Sequence, residues 1–264
     1  MPIGDFERGV LRTIAANRNP DSYLGGATVL HQRPDSPRSS RDVDLFHDTV
    51  ESLASAVGAD VQALAEGGFA VDLDKPQESF QRAVVRRGPQ STRIEWVFDS
   101  AFRFFPVEPD PELGWRLNFW DAATNKILAL FSRHEFRDYV DAFYLHQQHL
   151  HLGALAWAAA GKDPGLTPEL ILDWIKRHTT YSPEQVKEVA LREPLDLVRT
   201  KKQWLQAIEG AEALVARLPM HEVGCLYLDG ANHPVCPDPD SPEFPTLKRH
   251  YGSVKGAWPR IVGQ

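Results

Sequence analysis

Two glycines, Gly25-Gly26, come sixteen residues before the run Asp42-Val43-Asp44-Leu45, in which acidic and apolar residues alternate. Alternate residues of a β-strand point to the same face of a sheet. Asp42 and Asp44 are therefore expected to project together, while Val43 and Leu45 face the opposite way into a core. The run predicts a strand that carries a carboxylate pair on one face.

A carboxylate pair of this kind needs a partner that offsets its repulsion. Two carboxylates about 4 Å apart repel by about 1 kcal/mol in water and by about 4 kcal/mol at an effective dielectric constant of 20. Hard oxygen ligands suit Mg2+ or Mn2+, and a metal held by Asp42 and Asp44 can carry phosphates. The alternative is a solvated edge strand with its acidic residues directed outward.

The glycine pair predicts a close backbone approach. Tyr23-Leu24 has the character of a short buried strand, and residues 27–31 have that of the first turns of a helix. Glycines at a strand-to-helix turn allow backbone N–H groups to approach a phosphate, and the helix N-terminus adds partial positive charge. A tight turn without a ligand is the other interpretation of Gly25 and Gly26.

Three further strands are predicted after a helix that is capped by Asp48 and ends near Gly58. They cover residues 69–73, 80–85 and 93–98. Together with a first helix over residues 5–17, this order favours a small mixed sheet with helices packed against it. The predicted fold class is α+β.

One acidic residue lies inside the last of these strands. Glu95 stands between Ile94 and Trp96, apolar neighbours that belong on the opposite face. Such a residue either faces solvent or is held at a site. Asp99 shares the same face and is the competing candidate.

From residue 121 onward the pattern becomes helical. Asp121 is a suitable N-cap, and if the helix runs unbroken to Tyr144, a single charged face carries Lys126, Arg133, Arg137 and Asp141. If the helix breaks near Arg133, Asp138 becomes the N-cap of a second helix. A solvated face is the alternative to a functional one.

Composition excludes several classes of protein. The 264 residues carry a formal net charge of −7, so no global positive field attracts nucleic acid, although a local basic groove is not excluded. The apolar run 152–160 is too short to cross a bilayer, which predicts no membrane association. Two cysteines form no disulfide framework, and the first five residues lack the features of a secretory signal, so a cytoplasmic location is expected.

The chain divides by pattern into three regions. Residues 1–120 carry the strands and the acidic motifs, residues 121–222 are helical, and residues 223–264 contain a predicted hairpin and a proline-rich tail. In the hairpin, residues 225–228 form a strand that turns back toward residues 235–236.

Taken in order, these motifs resemble the AbiEii/AbiGii-type family of bacterial nucleotidyltransferase toxins. The resemblance covers about residues 20–145, and four stretches carry it: Tyr23-Leu24-Gly25-Gly26-Ala27, Arg38-Ser39-Ser40-Arg41-Asp42-Val43-Asp44-Leu45-Phe46, Lys126-Ile127-Leu128-Ala129-Leu130 and Arg137-Asp138-Tyr139-Val140-Asp141. It implies a polymerase-beta-like nucleotidyltransferase core followed by a helical C-terminal region.

The resemblance also implies roles for individual residues. Asp42, Asp44 and Glu95 would be metal ligands and catalytic residues. Gly25, Gly26 and Arg41 would bind the nucleotide, Lys126 would neutralise phosphate charge, and Asp141 would complete the pocket.

The function implied is metal-dependent transfer of a nucleoside monophosphate from an NTP to an acceptor. The acceptor would be RNA, such as the tRNA 3′ end, or protein, and a cognate antitoxin is an expected partner. Nucleotidyl transfer requires no protein nucleophile, which fits the lack of a Ser-His-Asp or catalytic Cys signature. The P-loop, dinucleotide-binding, zincin and hydrolase-elbow motifs are also missing, so the sequence does not support those classes. Transfer to a small hydroxyl compound is an alternative, and so is a catalytically silent nucleotide-binding or partner-binding module.

Overall fold

A computed structural model describes residues 3–32, 36–40 and 42–259 of the chain. The chain forms two compact units, which are described separately below. The first comprises Met1–Ala101 and Pro106–Ala122, and the second comprises Phe102–Phe105 and Ala123–Gln264.

The strands, numbered along the chain, are β1 Ser22–Leu24, β2 Asp42–His47, β3 Ala70–Leu73, β4 Phe80–Arg87, β5 Gln90–Phe98, β6 Phe102–Arg103, β7 Glu108–Asp110, β8 Gly114–Arg116, β9 Cys225–Leu228, β10 Lys248–Tyr251 and β11 Ser253–Val254. The α-helices are α1 Asp5–Ile14, α2 Gly26–Leu30, α3 Val50–Glu66, α4 Phe119–Arg133, α5 Phe136–Gln148, α6 Leu152–Ala160, α7 Pro168–His178, α8 Pro183–Lys187 and α9 Leu197–Val215. Among the described residues, no helix combines the length and hydrophobicity needed to cross a bilayer.

Seven strands of the first unit form one mixed sheet in the order β3-β4-β5-β2-β1-β8-β7. The central strand β2 runs parallel to β5 and antiparallel to β1. The predicted strands before and after the acidic motif are confirmed, whereas the short strands β8 and β7, which complete one side of the sheet, were not expected. The predicted α+β class, with a small mixed sheet flanked by helices, is confirmed.

The core of the first unit lies on one face of this sheet. Val43 and Leu45 of β2 and Ile94 and Trp96 of β5 are at most 1% exposed. Helices α1 and α3 pack against this face. The alternation of buried and half-buried positions along β2 is the pattern that the sequence predicts.

A buried carboxylate ties the helices to the sheet. Asp60 of α3 is fully buried and accepts hydrogen bonds from the Arg18 guanidinium at 2.5 and 2.6 Å. The Trp96 indole donates to it at 2.7 Å, and the Asn17 amide donates at 2.8 Å. Because burying an unpaired carboxylate is costly, these donors are what allow Asp60 to lie in the core.

Helix α3 corrects two predictions. It is capped by Thr49 rather than Asp48, through a capping box with Ser52. It also continues past Gly58 to Glu66. A glycine inside a helix costs only about 1 kcal/mol, and complete burial of Leu64 in the next turns is worth more than that.

The second unit is built around α6, whose nine residues are all buried. Helices α5, α7 and α9 and strand β9 contact it. The predicted start of α7 is confirmed, since the Thr167 side chain accepts from the Leu170 N–H and Pro168 occupies the first turn.

The C-terminal segment of the second unit corrects the predicted hairpin. Strand β9 forms as expected, but its partner in the two-stranded sheet is β10 and not residues 235–236. Val235 makes a single backbone hydrogen bond to Tyr227. Strand β10 pairs with all four residues of β9 and therefore satisfies more of its backbone hydrogen-bonding groups than Val235 does.

Candidate active site

The predicted acidic residues of the first unit lie on one face of two adjacent strands. In the parallel register of β2 and β5, Asp42 is opposite Arg93 and Asp44 is opposite Glu95. All four side chains project from the face opposite the core. Asp42, Asp44 and Glu95 are half-buried and Arg93 is exposed. The structure therefore brings the three predicted carboxylate residues onto one surface.

The glycine pair packs directly against this surface. The Gly25 N–H donates to the Asp44 carbonyl oxygen at 2.9 Å, which joins the β1–α2 turn to β2. Gly26 has φ +61°, and a Cβ added there would collide with the Asp44 carboxylate. A Cβ at Gly25 would collide with the Phe46 ring. Glycine is thus required at both positions for the turn to lie against the acidic strand.

Arginines engage two of the three carboxylates. Arg93 forms a fork on Asp42, with Nε 3.1 Å from Oδ1 and Nη2 2.9 Å from Oδ2. Arg82 of β4 binds Glu95 Oε1 through Nε at 2.9 Å and Nη2 at 2.8 Å. The hydrogen bond that Arg93 donates to Asp42 and the charges of the nearby carboxylates raise the pKa of Arg93. Cations therefore already balance this acidic face.

Because two of the carboxylates are paired with arginines, the three carboxylates are not arranged together as metal ligands. Within residues 3–32, 36–40 and 42–259, no three His, Cys, Asp or Glu side chains are gathered as a group that could hold a metal ion. The carboxylates of Asp42 and Glu95 are turned toward arginines instead. The competing candidate, Asp99, uses its carboxylate to accept from the Ser100 N–H at 2.8 Å. The role of Glu95 stays a prediction.

The other predicted residues form an ion cluster within the second unit. Lys126 of α4 is 7% exposed, and its Nζ lies 2.7 Å from Asp138 Oδ1 and 3.1 Å from Asp141 Oδ2. Both aspartates are fully buried. Arg133 adds two bonds of 3.2 Å to Asp138. The lysine ammonium is thus fixed between two carboxylates.

The cluster exists because the helix breaks. Helix α4 ends at Arg133, His134 adopts φ 55°, and α5 begins at Phe136 after the N-cap Glu135. The single charged stripe that an unbroken helix would form is therefore absent. The predicted caps are wrong, since α4 starts at Phe119 and not after Asp121, and Asp138 lies in the first turn of α5 rather than at its N-cap.

Four residues of these clusters were not predicted as site residues: Arg82, Arg93, Arg133 and Asp138. Charged residues occupy alternate positions in both strands, Asp42 and Asp44 in β2 and Arg93 and Glu95 in β5. This pattern would indicate the pairing of Arg93 with Asp42 only if the register of the two strands were known. Asp138 was visible inside the Arg137–Asp141 motif. The predicted nucleotide-binding residue Arg41 lies outside the described residues.

Comparison with known proteins gives the class to which this fold and these motifs belong. The family model of the nucleotidyltransferase AbiEii toxin, of type IV toxin–antitoxin systems, matches residues 10–217. No curated protein sequence matches the chain.

Solved structures that share the fold include two proteins of low sequence identity, JHP933 and MenT4. JHP933 from Helicobacter pylori aligns over 80% of this chain and 90% of its own, with a TM-score of 0.52 and 19% identity. MenT4, a nucleotidyltransferase toxin from Mycobacterium tuberculosis, aligns over 82% of this chain and 83% of its own, with a TM-score of 0.52 and 14% identity.

The chain is therefore a nucleotidyltransferase. It belongs to the AbiEii family of toxins from type IV toxin–antitoxin systems. The family resemblance predicted from the sequence is confirmed.

Proposed function

We propose that the chain transfers a nucleoside monophosphate from an NTP to a hydroxyl group of an RNA acceptor, with a divalent metal held by Asp42 and Asp44. One observation carries this proposal: the two carboxylates share a face of β2, and the Gly25-Gly26 turn packs directly against Asp44. Nucleotidyl transfer needs oxygen donors for a metal beside backbone that can approach phosphate, and this strand and turn supply both.

The donor set fits Mg2+ or Mn2+. Both residues offer hard carboxylate oxygens, and the lack of a Cβ at Gly26 allows the backbone of the turn to lie against the Asp44 carboxylate. When bound, a divalent ion supplies charge stabilisation for displacement at the α-phosphorus. Glu95 is proposed as a third ligand, a role that requires it to exchange its ion pair with Arg82.

The reaction is a substitution at phosphorus. The acceptor oxygen forms a bond to the α-phosphorus as the bond to the bridging oxygen breaks, and pyrophosphate leaves while the hydroxyl proton passes to solvent. Gly25 and Gly26 are proposed to contact the triphosphate, with the Gly26 N–H as the donor, because the Gly25 N–H already donates to the Asp44 carbonyl oxygen. Arg41 is proposed to bind the nucleotide.

Lys126 is proposed to supply positive charge for phosphate, as the family resemblance implies. A lysine is a compact point charge with three donors. In the structure the Lys126 ammonium group lies within 3.1 Å of carboxylate oxygens of both Asp138 and Asp141. These two contacts fix the direction of the ammonium group. Asp141 is therefore proposed to act by holding Lys126.

RNA is the proposed acceptor because the chain belongs to a family of toxins. Every tRNA carries a hydroxyl group at its 3′ end, and this group is the proposed site of transfer. A cognate antitoxin is the proposed protein partner. The net charge of −7 favours a second candidate, transfer to a small hydroxyl compound, since RNA binding depends on cationic contacts.

A single labelling experiment tests the proposal. The protein is incubated with each α-labelled NTP in turn, with Mg2+ and total RNA, and RNA is then separated from protein. We expect label in the RNA fraction with one preferred NTP, and none when EDTA is present. Label only in protein would reassign the acceptor, and label in neither fraction would contradict RNA and protein as acceptors.

A further inference from the structure

We propose that Arg93 is an exchangeable counter-ion of the acidic strand, which occupies Asp42 when no divalent cation is bound and so sets the affinity for that cation. This inference rests on the proposed function, because it assumes that Asp42 and Asp44 are the metal ligands.

The first basis is the geometry of the fork. Both Asp42 oxygens accept from Arg93, at 3.1 and 2.9 Å, so each carboxylate oxygen carries a donor on the side where Arg93 lies. Carboxylate oxygens that bind a metal directly must give up such bonds to make room for the ion. The cation and the guanidinium therefore compete for the same oxygens.

The second basis is the exposure of the pair. The side chain of Arg93 is 44% exposed, and that of Asp42 is 21% exposed. Exposed ion pairs contribute little to stability, because water solvates the separated charges well. The arginine can therefore leave Asp42 without a large penalty and without rearrangement of the core on the opposite face.

The third basis is the arrangement of charge around Arg93. Its Nε also lies 3.9 Å from Glu95 Oε1, and Asp42, Glu95 and Asp44 all favour its charged form. Arg93 thus contributes positive charge to all three carboxylates, beside Arg82, which binds Glu95. Since a divalent ion brings more positive charge to the same place, its arrival and the departure of Arg93 are electrostatically coupled.

Binding of Mn2+ to the full chain without nucleotide tests the proposal, with free Mn2+ measured by electron paramagnetic resonance. We expect Arg93→Gln to bind Mn2+ about fivefold more tightly than the parent, the size that an exposed ion pair can contribute. Arg93→Lys should fall between the two, because an ammonium cannot form the fork.

Arg86→Gln is the matched control. Arg86 lies on the neighbouring strand β4, its side chain is 48% exposed, and it pairs with Asp72 rather than with Asp42. The substitution removes the same charge, so any general electrostatic gain appears in both variants. Equal Mn2+ affinity of Arg93→Gln and Arg86→Gln would overturn the proposal.

Asp44→Asn separates this proposal from the proposed function. If Asp44→Asn loses the Mn2+ site of the parent while Arg93→Gln leaves it unchanged, the metal site stands and only the counter-ion role of Arg93 fails. If Asp44→Asn, Arg93→Gln and the parent all bind Mn2+ equally or not at all, the metal assignment itself fails. Tighter binding in Arg93→Gln that depends on Asp44 supports both.

Discussion

Two of the ion-pair clusters among the described residues are alike in chemistry and differ in their surroundings. On the strand face of the first unit, Asp42 pairs with Arg93, and their side chains are 21% and 44% exposed. In the second unit, Asp138 pairs with Lys126 and Arg133, and Asp138 is completely buried. The first pair is accessible to water, whereas Lys126 and Asp138 are largely removed from it and Arg133, with a side chain 47% exposed, reaches solvent.

The difference in burial indicates that the two clusters have different roles. A buried carboxylate that loses its partner is left with an uncompensated charge, so the Asp138 cluster is fixed as long as the second unit is folded. An exposed pair can exchange its partner at little cost. We infer that the helix cluster holds a lysine in place, whereas the strand face is free to exchange an arginine for a cation.

Matched substitutions of one type give the largest expected contrast in stability. Asp138→Asn should lower the free energy of unfolding by about 3–5 kcal/mol, because Lys126 and Arg133 lose a buried charged partner. Asp42→Asn makes the same chemical change in the exposed pair and should cost at most about 1 kcal/mol. Urea denaturation measures both, and equal losses would break the comparison.

The two faces of β2 provide the next contrast. His47 is fully buried on the core face, where burial and then the nearby Arg18 charge lower its pKa to about 4. In the unfolded chain the His47 imidazole takes up its proton near pH 6.5. Between about pH 6.5 and 4, the unfolded state therefore binds more protons than the folded state. Stability should fall by at most about 3 kcal/mol across that window as the pH decreases.

The measurement is the free energy of unfolding at pH 7 and at pH 4.5 for the parent and for His47→Gln. The variant should lose less stability than the parent on acidification. His221→Gln, at an exposed position, controls for the loss of a histidine. A parent and His47→Gln with the same pH dependence would exclude His47 as the cause.

The glycine turn gives the smallest of these effects on stability. Gly26→Ala should cost about 2 kcal/mol, from a left-handed backbone conformation and from collision with the Asp44 carboxylate. Gly88→Ala introduces the same backbone conformation, φ +59°, with nothing within 4 Å of the new Cβ, and should cost about 1 kcal/mol.

Nucleotide transfer by Gly26→Ala and Gly88→Ala provides a second comparison of the two variants. Gly88→Ala should retain it, whereas Gly26→Ala should lose at least tenfold, since the displaced Asp44 is a proposed metal ligand. Equal transfer by both variants would show that close packing of the turn on Asp44 is not needed for the reaction.

Local patterns sufficed to predict much of the first unit from the sequence. The alternation around Asp42 and Asp44 indicated a strand with one buried face, and the strand that contains Glu95 was predicted on the same grounds. The glycine pair indicated the strand-to-helix turn. These features depend on neighbours in the chain, so periodicity reveals them.

The pairings could not be predicted because they depend on register and on a helix break. The fork of Arg93 on Asp42 joins residues 51 positions apart and requires β2 and β5 to run parallel in one specific register. The bond from Lys126 to Asp138 requires α4 to end at Arg133, just before His134, a non-glycine residue with positive φ that propensity does not indicate. Tertiary packing determines both.

Transfer of labelled nucleotide by Asp44→Asn tests the central claim most directly, namely that the carboxylate pair of β2 carries the reaction. The parent and the variant are compared with the preferred NTP and Mg2+, after circular dichroism has shown equal melting temperatures within about 2 °C. We predict a loss of at least about 100-fold, the size expected when a group that stabilises transition-state charge is removed. Equal incorporation of label by the folded variant and the parent would contradict the claim.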